Sequence, residues 1–143
     1  MVALIVDVQY YPVNITQVIK EATVLSLTSD TYRHFVFQNV TDWDALSEKD
    51  RKTARYICEE LGGIHFNGGV DVLQTFVDGI PKESILIVNG HVKKKMLSSL
   101  FPHNRIVDLK VPFFVLSSSK KCSFPSYHTQ CSLTNCFKVK NYL

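Results

Sequence analysis

Long apolar runs, an excess of one charge and punctuating residues are all scarce in this chain of 143 residues. No apolar stretch approaches the roughly 20 residues that a membrane-spanning helix needs, so no membrane partner is expected. The opening segment, MVALIVDVQYY, has no basic leader, and Asp7 interrupts its apolar run after five residues. A secretory signal is therefore not expected. The expected location is intracellular, cytoplasmic or nuclear, and the cysteines are expected to stay reduced. On that reading the glycosylation-like triplets Asn14-Ile-Thr16 and Asn39-Val-Thr41 are coincidental. Cysteine is sparse as well: four residues, three of them between Cys122 and Cys136, which points to a metal before a disulfide. With six glycines and five prolines there is no low-complexity linker, and no internal repeat is visible, so residues 1–143 read as a single domain. A net charge of +3 permits a polyanionic partner without requiring one.

What remains is an ordinary globular composition, 45% hydrophobic and 20% charged, long enough to bury a core without staples. VALIVDVQYY, rich in Val and Ile, predicts a buried first strand. ATVLSLTS and YRHFVFQN predict the second and third, and the turn residues of LTSDTYR between them predict antiparallel pairing. SEKDRKTARYICEELGG then changes period. Ser47 and Asp50 have a capping-box-like spacing, Ala54, Ile57, Cys58 and Leu61 recur at helical intervals, and Gly62-Gly63 ends the helix. Val72, Leu73, Phe76 and Val77 predict a short second helix closed by Gly79. SILIVNG is a continuous apolar strand of the kind covered on both faces, followed by the helix VKKKMLSSLF and the short strand NRIVDLK. A last helix is expected from about Tyr127 to Leu143, with Leu133, Phe137 and Lys140 on one side. The order β-β-β-α-α-β-α-β-α predicts an α/β fold, a mixed sheet flanked by helices.

The stretch CSFPSYHTQC carries the clearest chemical signal. His128 and Cys131 are three apart, hence on one helix face with Cβ atoms about 5–6 Å apart, which suits two ligands of one tetrahedral ion. Cys122 lies in the leading loop and can fold back. Cys136, at about 100° per residue, points roughly 140° away from Cys131. The alternative is that Cys131 and Cys136 are core cysteines and His128 a hydrated surface residue.

The element order, with IVDVQ in the first strand, resembles the ribonuclease H-like fold of the DEDDh (DnaQ-like) exonucleases. In those enzymes four carboxylates hold two divalent metals and a histidine positions the attacking water. Asp7 matches the first carboxylate, but Gln9 stands at its partner position, Lys93, Lys94 and Lys95 follow the turn where the second should be, and Asn135 stands near the last. Asp108 ends a strand and is a second relic candidate. One carboxylate cannot offset two Mg²⁺ ions, so an active two-metal nuclease is not expected. The departures are closer to the Maelstrom domain, a branch of the same fold in which the acidic site is replaced by a Glu-Cys-His-Cys zinc site. That resemblance implies a structural zinc held by Cys122, His128, Cys131 and an early glutamate, for which Glu21 in IKEATVLSL is the best placed; Cys136 is the rival for the fourth position.

The resemblance also puts the helix VKKKMLSSLF beside the former substrate cleft, where Lys93, Lys94, Lys95 and Arg105 would contact phosphates. His91, His103, Lys110, Lys120 and Lys121 add to the basic character, and Tyr10, Tyr11 and Phe66 are stacking candidates. The expected function is thus a pseudoenzyme: a catalytically degenerate, zinc-bearing module that binds nucleic acid, RNA by resemblance, or acts as a scaffold. Two alternatives stand beside it. One is a residual, metal-independent nuclease on single-stranded RNA using Asp7, Asp108 and His128; the other is a protein-interaction module whose basic face is only solvated.

Overall fold

Five strands form one mixed sheet in the order β3-β2-β1-β4-β5. They belong to a computed structural model that describes residues 2–13, 16–38, 43–59, 69–112 and 131–143. The strands are β1 (Ala3–Val13), β2 (Thr16–Ser26), β3 (Tyr32–Val36), β4 (Ile85–Val88) and β5 (Arg105–Asp108). The helices are α1 (Glu48–Glu59), α2 (Leu73–Asp78), α3 (His91–Leu100) and α4 (Ser132–Tyr142), with a 3-10 turn at Trp43–Ala45. The expected element order is reproduced, including the antiparallel β2–β3 pair. Strand β2 is antiparallel to β1 and to β3, whereas β4 runs parallel to β1 and β5 parallel to β4.

Two expected boundaries move. Strand β2 begins at Thr16 rather than Ala22, because Thr16–Ile19 pairs with the far half of β1, from Tyr10 to Val13. A register shift between Gln9 and Tyr10 leaves Lys20 as the extra residue of β2, a β-bulge. The Lys20 ammonium donates to the carbonyl of Phe37 at 2.8 Å. Helix α4 begins at Ser132, not near Tyr127. Cys131 is extended, with φ −83° and ψ 129°, and stands ahead of the first turn, so it is not on the helix face expected of it with His128. Residues 127–130 lie outside the description. Ser47 does cap α1, its hydroxyl accepting from the N–H of Asp50 at 3.1 Å. The side chains of Ile57 and Cys58, and residues Leu61 and Phe66, also lie outside it.

The central strand is buried on both faces, as its unbroken apolar run requires. Val6 and Val8 join Ala22, Phe35, Leu86 and Val88 beneath Phe76 of α2, Leu97 of α3 and Phe101. Ile5, on the opposite face, packs with Leu25 against Cys131, Leu133, Cys136, Phe137 and Val139 of α4 and its leading residue. Tyr11 extends beyond these two cores and packs with Leu46 and Ala54 under α1. Among the described residues no helix is long and apolar enough to cross a membrane.

Register then decides what lies under α4. Gln9 opposes Glu21, Asp7 opposes Thr23 and Ile5 opposes Leu25, so all six share one face. His34 opposes Thr23 from β3, which makes it a diagonal neighbour of Glu21 on that face. Apolar Leu133 and Phe137 alternate on α4 with buried Ser132 and Asn135, and each polar side chain has its partner on the sheet. The Ser132 hydroxyl meets that of Thr23 at 2.7 Å, and Asn135 Nδ2 donates to Asp7 Oδ2 at 3.1 Å.

Candidate metal site and a locked carboxylate

Glu21 is a buried carboxylate at 1% exposure, a position that is costly unless every oxygen is engaged. Its Oε1 accepts the N–H of Ser132 at 3.1 Å, so Glu21 caps α4 from the sheet and sets its negative charge at the positive end of the helix. Its Oε2 meets His34 Nε2 at 2.5 Å and Cys131 Sγ at 3.7 Å. Ligand atoms of Glu21, His34 and Cys131 all lie within 4.8 Å of one another, which is metal-binding distance. Oxygen, imidazole nitrogen and sulfur together are a donor set compatible with a borderline-soft divalent ion. Three elements contribute one donor each: β2, β3 and the residue that leads into α4.

Two of the four expected zinc ligands, Glu21 and Cys131, are therefore brought together; Cys122 and His128 lie outside the described residues. The rival fourth ligand, Cys136, sits elsewhere. Its thiol is fully buried against the carbonyls of Ile5 at 3.8 Å and Thr23 at 3.6 Å. Burial, with the negative charge of Asp7 second, pushes that thiol well above its ordinary value. Cys136 is also not part of the group formed by Glu21, His34 and Cys131. His34 is the residue that the sequence reading missed. A lone histidine in an alternating strand has no helical partner at ligand spacing; only the β2–β3 register could have found it.

The second cluster surrounds Asp7. Lys93 Nζ donates to its Oδ1 at 2.7 Å, and Gln9 Nε2 donates to Oδ2 at 2.9 Å, the oxygen also held by Asn135. The ion pair is mostly withdrawn from water, with side-chain exposures of 20% for Lys93 and 8% for Asp7. Strand β4 pairs with β1 only over Ala3–Ile5, so beyond Ile5 the strand β1 keeps its β2 partner but not β4, and Asp7 lies two residues past that last pair. A crevice at such a point is the usual ligand position of an open α/β sheet. Here Lys93, from the first turn of α3, reaches the Asp7 carboxylate.

The approach of α3 is fixed by Asp108 and Asn89. Asp108 Oδ1 accepts the N–H of Gly90 at 2.9 Å and of Lys110 at 3.0 Å. Asn89 exchanges two hydrogen bonds with the backbone of Val111, at 3.0 and 2.8 Å. Gly90 leads into α3 with φ 133°, a conformation that a side chain would strain. Burial opposes ionisation of Asp108, yet the N–H groups of Gly90 and Lys110 and the charges of Lys110 and Lys94 outweigh it and hold its carboxyl below the ordinary value. Asp108 is thus committed to the turn.

Of the expected phosphate-contact residues, Lys93 faces Asp7, Lys94 is half-buried, and Lys95 and Arg105 are exposed, as are His91, His103 and Lys110. Tyr10 is half-buried, but Tyr11 is in the core at 2% exposure and cannot stack on a base, which corrects that expectation. Lys120 and Lys121 lie outside the described residues. Comparison with protein-family models finds no match, and comparison with curated proteins finds none either.

Proposed function

We propose that the chain is a catalytically degenerate exonuclease-fold domain of Maelstrom-like type, stabilised by a zinc ion and binding single-stranded RNA through a basic face beside the closed cleft. One observation carries this reading. The residues that the resemblance sets at or after the missing acids include Gln9, Lys93 and Asn135, and these are the three whose side chains hold Asp7. A site that once gathered acids around a cation would, after losing them, gather donors around its last acid. The Lys93 ammonium then stands where a divalent ion would stand and supplies one positive charge for one carboxylate. The mixed sheet, with β1 central and β2 reversed, supports the ribonuclease H-like arrangement.

Zinc is supported by the chemistry of the donors. A cysteine sulfur and a carboxylate brought together from α4's leading residue and β2 suit it better than Mg²⁺, which prefers oxygen and keeps its waters. Cys122 and His128 are the expected further donors. Such an ion ties α4 to the sheet and contributes to folding directly. The lysines that remain outside, Lys94 and Lys95, supply the phosphate contacts; Arg105, level with Ala3 at the other end of the parallel strands, does not share that face.

Elemental analysis of protein purified without chelator is expected to give about one zinc per chain, and Cys131→Ser protein to be metal-poor and less stable. Mn²⁺ is expected not to switch on trimming of a labelled RNA. Zinc content well under one per chain would remove the metal from the proposal. Robust Mn²⁺-dependent trimming lost in Asp7→Ala, or RNA cleavage that survives EDTA, would remove the pseudoenzyme.

A further inference from the structure

His34 stands beside the expected zinc cage, which Glu21, Cys122, His128 and Cys131 would fill without it. Its place next to Glu21 has two chemical meanings. An imidazole can hydrogen-bond a ligating carboxylate from outside and orient it, or it can be a donor to the ion itself. The two roles use different oxygens. An outer partner belongs on the carboxylate oxygen turned away from the other ligands. In Glu21 that oxygen, Oε1, is taken by the N–H of Ser132. His34 Nε2 instead approaches Oε2, the same oxygen that faces Cys131 Sγ. Imidazole and thiol therefore converge on one point, as donors arranged around an ion do.

Distances agree with that assignment. Tetrahedral zinc with Zn–O near 2.0 Å and Zn–S near 2.3 Å puts oxygen and sulfur about 3.5 Å apart. Oε2 and Sγ are separated by 3.7 Å. The same arithmetic puts oxygen and imidazole nitrogen about 3.3 Å apart, against the 2.5 Å of the present contact, in which a proton lies between them. An ion replacing that proton requires an opening of about 0.8 Å, within reach of a small turn of either side chain. His34 is also anchored for the task. It sits in a paired strand opposite Thr23, with only 13% of its side chain exposed.

We infer that His34 is itself a metal ligand, one of three donors with Glu21 and Cys131 to a zinc-class divalent ion, which leaves one position of a tetrahedral site for either Cys122 or His128. This rests on the metal reading above and adds a residue that the sequence did not select. Loss of metal affinity in His34→Ala does not separate the roles, because removing an outer partner also costs about 10- to 100-fold. Spectroscopy of the loaded protein does. In wild-type chain loaded with ¹¹³Cd, a zinc surrogate, and labelled with ¹⁵N, the Nε2 of His34 is expected to show scalar coupling to the metal. In Co²⁺-loaded His34→Cys, the thiolate-to-cobalt charge-transfer band is expected to grow by the contribution of one added thiolate. The ¹¹³Cd measurement needs no variant to fold. Metal bound stoichiometrically with no coupling at His34 would overturn the inference and leave the metal reading intact. Binding of neither Zn²⁺, Cd²⁺ nor Co²⁺ by the wild type would overturn both.

Discussion

A carboxylate under a helix must find partners, and among the described residues Asp7 has three of different strength. The two amides, Gln9 and Asn135, offer neutral hydrogen bonds, whereas Lys93 offers the only opposite charge among them. Removing one member of a withdrawn ion pair leaves an uncompensated charge and costs about 3 kcal/mol or more. Lys93→Met is therefore expected to lower stability by about that amount in urea denaturation. The double variant Asp7→Asn/Lys93→Met should recover most of the loss, because no orphan charge remains. A Lys95→Met control should be near neutral; equal losses in the two single lysine variants would reject the pairing. At this scale the sequence was legible in types and not in directions. It marked Asp7, the lysine run, Glu21 and Cys131 as chemically notable. It could not say which lysine turns inward, since that depends on how the Asn89-Gly90 turn aims α3. Nor could it single out His34, whose role arises from strand register.

Elements carry the sequence's clearest information, and the order of strands and helices was readable because each apolar run keeps one period. The start of β2 was not. TQVIKEAT mixes polar and apolar residues without strict alternation, since Lys20 is a bulge residue, and the first part is a strand only because β1 offers it a partner. The turn between β4 and α3 shows how an element boundary can depend on one charge. Asp108 bonds the N–H of Gly90 ahead of α3 and of Lys110 after β5, and its carboxyl is held below the ordinary value in the fold. A group with a lowered folded value favours the folded state when ionised. Its contribution is present in full above the ordinary carboxyl value and fades as the pH falls through the lowered one. Thermal midpoints measured from neutral pH down to strong acid should thus fall less steeply for Asp108→Asn than for wild type in that acid window. Parallel curves for the two proteins would show that Asp108 has no such role.

At the scale of the whole molecule, sheet order places the two clusters on one face, beneath or beside α4. The locked carboxylate lies at the β1–β4 parting, and the Glu21 cluster lies across β2 and β3. The basic residues of α3 border the first of these, so on the proposed reading a strand passing the Asp7 site would meet Lys94 and Lys95 but not Lys93, whereas Arg105 stands level with Ala3 at the opposite end of the parallel strands. This distinction decides how RNA binding is tested. Replacing all three successive lysines by glutamate would set a second carboxylate against Asp7 and damage the fold, and a loss of binding would then have two causes. Lys94→Glu/Lys95→Glu avoids the pair. Each phosphate contact adds roughly 0.7 to the slope of log affinity against log salt for a single strand. Losing two contacts should therefore lower the slope by about 1.4 and weaken RNA retention at low salt by an order of magnitude or more, with zinc content and melting temperature nearly unchanged. Filter binding of a labelled oligonucleotide across a salt series, beside elemental analysis and a thermal melt of the same samples, measures all three. Equal retention by the double variant and the wild type at low salt would mean that this face is only solvated. The reading of the chain as a protein-interaction module would then replace the proposed one.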